Sequence, residues 1–246
     1  MPALYCFAAG TDILRRLGPS LEYRPGRDDM VLVANKASPA DDLSGVILPA
    51  MTVGVMGAAG GQMSEEVRRR VQELGAAIGR RGFVLVTGAC PGLPQLAVEG
   101  ARGEGGTVIG ISPAHNLEEH VLKYNSPTLG YDAIIYTGSG LMGREVDNVL
   151  SSDVIVFAGG RSGTLGEFAI AYEEGKAIGV LRGTGGIADH LEGIERMLDK
   201  ETGAVVRSGS CPERLLDRLE RVFKERTLPR HLKALRGRDP RGVPDV

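Results

Sequence analysis

The chain carries 246 residues, with 29 Lys plus Arg against 31 Asp plus Glu, a formal net charge of −2, no Trp and 4% aromatic residues. That length suits one large α/β domain, or one with a small appendage, while the balanced charge and scarce aromatics argue against a basic nucleic-acid footprint or a base-stacking platform. Cys6, Cys90 and Cys211 have no close pairing of disulfide or zinc type, and neither a bilayer-length apolar run nor a signal-peptide pattern occurs, so a reducing cytoplasm, without membrane or nucleic-acid partner, is the expected setting.

Residues 1–50 hold two short strand signals, Met30–Ala34 and Val46–Leu48, with turn signals at Pro25-Gly26 and Ser38-Pro39. They read as a small N-terminal appendage or an added edge hairpin. From Met51 strands and helices alternate. Met51–Met56 is an apolar strand, followed by Ala58-Ala59-Gly60-Gly61 and a helix from Ser64 to Arg80. In that helix Val67, Val71, Leu74 and Ile78 form one stripe at helical spacing. Ser64, Glu65 and Glu66 make an acidic start and Gly82 closes the helix. Strand Phe83–Thr87, helix Leu93–Arg102, strand Thr107–Ile111 and strand Asp132–Tyr136 come next. Helix Met142–Leu150, strand Asp153–Ala158, helix Thr164–Glu174 and strand Ala177–Leu181 follow. A helix over Ile187–Lys200, a short strand Ala204–Val206 and a helix Pro212–Arg226 complete the pattern. Strands this apolar between amphipathic helices predict a three-layer α/β/α Rossmann-like fold over residues 51–226, with an open, mainly parallel sheet of about seven strands. Residues 227–246, rich in Arg, Lys and Pro, read as a basic, partly disordered tail.

Open parallel sheets bind ligands beyond the carboxyl ends of their strands. The most informative turn there follows the strand ending at Ala158: Gly159, Gly160, Arg161, Ser162, Gly163 and Thr164, with Glu167 just inside the next helix. Glycines at a strand-to-helix turn let backbone amides approach a ligand, and the helix start adds unpaired donors and a positive end, which suits a phosphate. A carboxylate so close would repel phosphate, so Glu167 is assigned to the neutral part of a phosphorylated sugar or nucleotide. Gly57 and Gly60 after the first core strand, and Gly88 and Gly92 after the second, line the same crevice. The spacing Gly54, Gly57, Gly60 is G-x-x-G-x-x-G, and no acidic residue ends the second strand where a ribose-binding carboxylate of an NAD site belongs. A mononucleotide or sugar phosphate fits better than a dinucleotide.

Arg144 and Glu167 are the candidate catalytic pair. Arg144, read as a first-turn residue, opposes its own helix dipole unless an anion compensates; the alternative is a tolerated surface Arg. Glu167 has the alternative of capping its own helix. Cys90, between a strand end and a helix start, occupies a position that can lower a thiol pKa, yet no His stands near it in sequence. His115 follows a strand end near the crevice and reads equally as a ligand contact or a loop histidine. The histidines form no metal pattern, so neither a metal nor a resident cofactor is expected.

The stretch from Ser162 to Phe168, with Gly163, Thr164 and Glu167, resembles the P-G-G-x-G-T-x-x-E signature of the LOG-type proteins, often misnamed lysine decarboxylases. Arg144, Ser152-Asp153, the glycine turn after the first core strand and the run from Val86 to Pro94 also look like this family. The likeness covers about Met51 to Phe223. It implies a phosphate-binding Rossmann-like protein, some of whose relatives are cytokinin riboside 5′-monophosphate phosphoribohydrolases. Departures are Gly159, Gly160 and Arg161 in place of Pro-Gly-Gly, Glu145 in place of a Lys, and Asn148 in place of a Met. They resemble the bacterial LOG-like subgroup of unassigned substrate, which also looks like the molybdenum-cofactor carrier proteins. Two functions follow as expectations. One is hydrolysis of the N-glycosidic bond of a nucleoside 5′-monophosphate, with Glu167 at the ribose and Arg144 pairing with it; the alternative is a non-catalytic carrier for a nucleotide or molybdenum cofactor. The resemblance also implies a homodimer. Val146, Val149 and Leu150, with Phe168, Ile170, Ala171 and Tyr172, exceed what one sheet-facing stripe needs.

Overall fold

The computed structural model describes residues 21–25, 30–34 and 47–236, with positions 238, 239 and 242. Cys6, Gly26 and the turn signal at Ser38-Pro39 lie outside the described residues. The chain divides into two compact units, Met1–Ala50 with Arg226–Val246, and Met51–Glu225. In the smaller unit, β1 (Leu21–Pro25), β2 (Met30–Ala34) and β3 (Ile47–Leu48) pair antiparallel in that order, Leu21 opposite Ala34 and Met30 opposite Leu48. β2 takes the expected bounds. β1 has no counterpart among the expected strands, because a five-residue segment with Glu22 and Arg24 that ends in Pro25 gives little strand signal.

The main unit is built on seven parallel strands: β4 (Thr52–Gly57), β5 (Val84–Thr87), β6 (Val108–Ser112), β7 (Ala133–Tyr136), β8 (Val154–Ala158), β9 (Ala177–Leu181) and β10 (Val205–Gly209). Its helices are α1 (Glu65–Arg80), α2 (Leu93–Gly103), α3 (Leu117–Leu122), α4 (Gly140–Leu150), α5 (Ser162–Glu173), α6 (Leu191–Leu198) and α7 (Pro212–Val222). The spatial order is β10-β9-β8-β4-β5-β6-β7. The chain therefore steps outward from β4 through β7, returns beside β4 as β8, and steps outward the other way. This is the expected three-layer Rossmann-like architecture.

Alternation along the central strands builds a core on each face. Val154, Val156 and Ala158 of β8 join Val53 and Val55 of β4 under α1, α2 and α7. Ile155 and Phe157 point the other way, with Met56, toward Val149 of α4, Phe168 and Ala171 of α5 and Leu191 of α6. Every residue of β8 and β9 is buried, and each large apolar side chain so buried contributes on the order of 1.5–3 kcal/mol. Phe157 and Phe168 meet edge to face at 5.9 Å between ring centres. Val149, Phe168 and Ala171, counted as surplus apolar positions in the sequence, belong to this core. The apolar positions left exposed on α4 are Leu141, Met142, Val146 and Leu150.

Local signals explain most element ends. Ser64 Oγ accepts from the Val67 amide at 3.3 Å and so starts α1. The helix expected over Ile187–Lys200 divides into a 3₁₀ turn, Gly186–His190, and α6. Asp189 ties down that entry by accepting from the amides of Gly183 at 2.6 Å and Gly185 at 2.9 Å. Asp199, in the left-handed region, ends α6. Beyond α7 a π turn covers Phe223–Thr227, and α8 (Leu228–Leu235) occupies part of the stretch expected as a disordered tail. Pro229 stands in its first turn, where a missing amide costs nothing.

Candidate functional site

The connections after β4 and β8 leave toward opposite faces of the sheet, so a crevice opens between the carboxyl ends of these neighbouring strands. Glycine turns crowd together there. A Cβ on Gly57 would fall 2.0 Å from the Ala158 carbonyl oxygen, and one on Gly92 2.3 Å from that of Ala58. Gly159 lies against Leu93 and Ala58. At Gly160 the backbone has φ +89°, and a Cβ would fall 2.1 Å from Thr164 Oγ1. Only glycine fits that turn.

The turn is held from behind. Thr184 Oγ1 accepts from the Gly159 amide at 2.9 Å and donates to the Leu181 carbonyl at 2.6 Å. The amides of Ile187 and Ala188 donate to the carbonyls of Gly160 and Gly159, both at 3.0 Å. α5 then opens without a side-chain cap. Ser162, Gly163 and Thr164 thus present helix-start amides at the positive end of the helix, an arrangement that attracts anions.

Facing this turn is the buried stripe of α4, namely Arg144, Glu145, Asn148 and Val149, while α5 contributes Thr164, Glu167, Phe168 and Ala171. Both helices begin two residues earlier than the sequence signals. Arg144 is therefore the fifth residue of its helix and Glu167 the sixth. Neither belongs to a first turn, so Arg144 does not oppose a helix start and Glu167 does not cap α5. Both turn inward. Arg144 Nη1 lies 3.7 Å from Glu167 Oε1, with the side chains 11% and 8% exposed.

The Arg144 guanidinium passes over Gly88, where a Cβ would come within 1.9 Å of Nη1. Its Nε is buried with no hydrogen-bond partner among the described residues. An orphaned donor of this kind costs about 1–3 kcal/mol, which an acceptor on a ligand or a water would recover. Glu145 lies along α5: a Cβ on Gly163 would be 2.9 Å from its Oε1, and one on Gly166 3.0 Å from its Oε2. Burial pushes the Glu145 carboxyl up, with Arg144 acting against it. Burial also pushes Glu167 up to about 7, against the pull of Arg144 and of the Asn148 amide when that donates to it, with Glu145 adding to the rise. At neutral pH Glu167 therefore exchanges between acid and carboxylate.

Cys90 sits within reach of both charges. Burial pushes its thiol up to about 11, with Arg144 opposing and Glu167 adding. The lowering expected of its strand-to-helix position is outweighed, and the thiolate that a nucleophile needs is absent at neutral pH. The structure thus brings Gly57, Gly88, Gly92, Gly159, Gly160, Gly163, Thr164, Arg144 and Glu167 together. Gly60 stands apart in an exposed loop with nothing within 4 Å of where its Cβ would be, and Arg161 and Ser162 lie on the exposed rim of α5. His115 is exposed and bonds Glu119 through Nδ1 at 2.7 Å. Thr184 was missed by sequence reasoning, since it stands 25 positions beyond the glycine it supports. Glu145 and Asn148 stood out only as departures from a family pattern.

Among the described residues no three His, Cys, Asp or Glu side chains converge as a metal site, and no helix is long and apolar enough to cross a membrane. Comparison with known proteins agrees with this architecture. An uncharacterised protein of Archaeoglobus fulgidus is 35% identical over 132 residues, 54% of this chain and 80% of that protein. The molybdenum cofactor binding protein of the phototrophic bacterium Rippkaea orientalis is similar in structure, with a TM-score of 0.59 and 30% identity over 72% of this chain and 99% of that one. The molybdenum cofactor carrier protein of Chlamydomonas reinhardtii gives a TM-score of 0.58 and 29% identity over 71% of this chain and 99% of that one. The model of the SLOG cluster4 family matches residues 50–215, which include the whole crevice from β4 to α5, and the chain belongs to that family.

Proposed function

We propose that this protein binds a small phosphorylated ligand in the crevice between β4 and β8 and holds it without turnover, as a carrier or binding protein for a nucleotide or for molybdenum cofactor. The observation that carries this reading is the uncapped start of α5 beside the rigid Gly159-Gly160 turn. In this reading a phosphate takes the amides from Gly160 to Thr164, Arg161 assists from the rim, and the unpartnered Arg144 Nε faces the rest of the ligand. Glu145 and Arg161, where the LOG signature has a Lys and a Gly, favour holding over cleaving. The similarity to the molybdenum cofactor binding protein of Rippkaea orientalis and the molybdenum cofactor carrier protein of Chlamydomonas reinhardtii supports the carrier form.

Hydrolysis of the N-glycosidic bond of a nucleoside 5′-monophosphate is the second reading. One observation favours it: burial pushes Glu167 up to about 7, so the same side chain offers a proton to a departing base at neutral pH. Incubation with AMP, GMP, CMP and N6-substituted AMP, following free base and ribose 5-phosphate alongside calorimetric titration, separates the two. Binding without release of base is expected. Turnover of any of the four sinks the carrier reading.

The proposed assembly is a homodimer. Met142, Val146 and Leu150 repeat every four residues along the outer face of α4, 74%, 40% and 52% exposed. This is an apolar stripe that a second copy would cover.

A further inference from the structure

Asn148 lies one turn beyond Arg144 on the buried stripe of α4 and is 1% exposed. Its side-chain amide has two ways to sit. With Nδ2 toward Glu167 it donates to Oε1 at 3.4 Å, and its oxygen is left against the Thr87 carbonyl, acceptor facing acceptor. Turned over, Nδ2 donates to the Thr87 carbonyl at 3.3 Å and the oxygen accepts from Arg144 Nη1 at 3.2 Å. The second orientation satisfies both ends of the amide, and at a buried position an unsatisfied end costs about 1–3 kcal/mol.

That orientation has a consequence for Glu167. The Asn148 oxygen now occupies the place 3.4 Å from Glu167 Oε1. Against a carboxylate, this is a repulsion between two acceptors in a site of low dielectric. Against a carboxylic acid it is an O–H···O contact, long at this distance, which a small rotation of Glu167 shortens. The Thr87 carbonyl and Arg144 thus clamp the amide so that it turns an acceptor toward Glu167.

We propose that Asn148 is a positioning residue that holds Glu167 as the neutral acid in the ligand-free site, so that an anionic ligand enters past a carboxyl group that does not repel it. The purpose of this clamp rests on the phosphorylated-ligand reading; its chemistry does not. The charged and titratable groups that face Glu167 are Arg144 and Glu145 from α4 and Cys90 from the segment after β5. Arg144 favours the carboxylate and Glu145 opposes it. Cys90 is a neutral thiol.

The test is a ¹³C NMR titration of the ligand-free protein labelled at glutamate Cδ, with Glu167→Gln to assign the resonance. Asn148→Met and Asn148→Ala each remove the clamped acceptor and free Arg144 to turn to Glu167. The Glu167 midpoint is expected to fall by about one pH unit. A midpoint that stays or rises in either folded variant overturns the proposal, because a rise is what loss of a donating Nδ2 produces. In the wild type, nuclear Overhauser contacts of the Asn148 amide protons are expected to Thr87, and contacts to Glu167 instead overturn it whether or not the variants fold. Calorimetry with AMP is run separately. If AMP does not bind but the midpoint falls, the clamp stands and the ligand reading fails; if AMP binds and the midpoint does not fall, the clamp fails alone.

Discussion

Replacing Glu167 by Gln keeps the shape of a side chain that is 8% exposed and removes its charge. Burial lifts this carboxyl from its ordinary 4.5 to about 7, and each unit is 1.36 kcal/mol, so the full shift is worth about 3 kcal/mol. Between those two values the folded protein keeps a proton that the unfolded chain releases, and rising pH therefore favours unfolding. Below about pH 4.5 both states carry the proton and the penalty is absent; above about pH 7 it is fully present. The glutamine variant titrates nowhere at this position. It is expected to match the wild type near pH 4.5 and to exceed it by about 3 kcal/mol near pH 8.5. Urea unfolding followed by far-ultraviolet circular dichroism at several pH values measures this difference. In a unit of this size each kcal/mol moves Tm by about 2–4 °C, so thermal scans near pH 8.5 should separate by roughly 6–12 °C. Parallel stability curves for the two proteins across that range would refute the reasoning, because they would mean that Glu167 folds without changing its affinity for a proton.

Gly163→Asp sets a carboxylate among the α5 amides and against Glu145 Oε1, which lies 2.9 Å from where the new Cβ would be. Calorimetry should show AMP affinity lowered at least about tenfold, or about 1.4 kcal/mol, with circular dichroism unchanged; equal affinities would take the turn out of the site. With its thiol pushed up to about 11, Cys90 should alkylate at least about tenfold more slowly near pH 8 than the exposed Cys211. Peptide mapping by mass spectrometry reads both rates, and comparable labelling contradicts a half-buried, protonated thiol. Light scattering at micromolar concentration should give about 52 kDa, twice the 26.0 kDa chain, and Val146→Lys should halve it. A wild-type mass of one chain rejects the dimer.

How far the molecule was legible in its sequence varied with the range of the interactions involved. β9 takes the expected bounds and β8 starts one residue late, because strands buried on both faces carry no charged or polar side chain to break their apolar run. α3 escaped detection, since six residues are too few to display a helical period. Its start was still written locally: Asn116 Oδ1 accepts from the Glu119 amide at 2.9 Å, and Glu119 Oε2 from the His115 amide at 2.8 Å, a reciprocal cap. Gly140 and Gly163 read as loop residues, which delayed both helix starts and made Arg144 and Glu167 look like first-turn groups. That Glu145, Asn148 and Arg144 all face α5 is a matter of how two helices meet across β8. No spacing within either helix encodes it.

Thr184 and the amides of Ile187 and Ala188 set the shape of the Gly159-Gly160 turn before any ligand arrives. A template formed in advance spares the ordering cost of about 0.5–1.5 kcal/mol for each group that would otherwise be immobilised on binding. If the turn binds phosphate as proposed, capture needs no closing movement of it, and residence time would follow from the contacts broken on departure. For a ligand held at this turn, grip would depend on residues that never touch it: Asp189 fixes the segment carrying Thr184, and Thr184 in turn holds Gly159, 25 positions earlier in the chain.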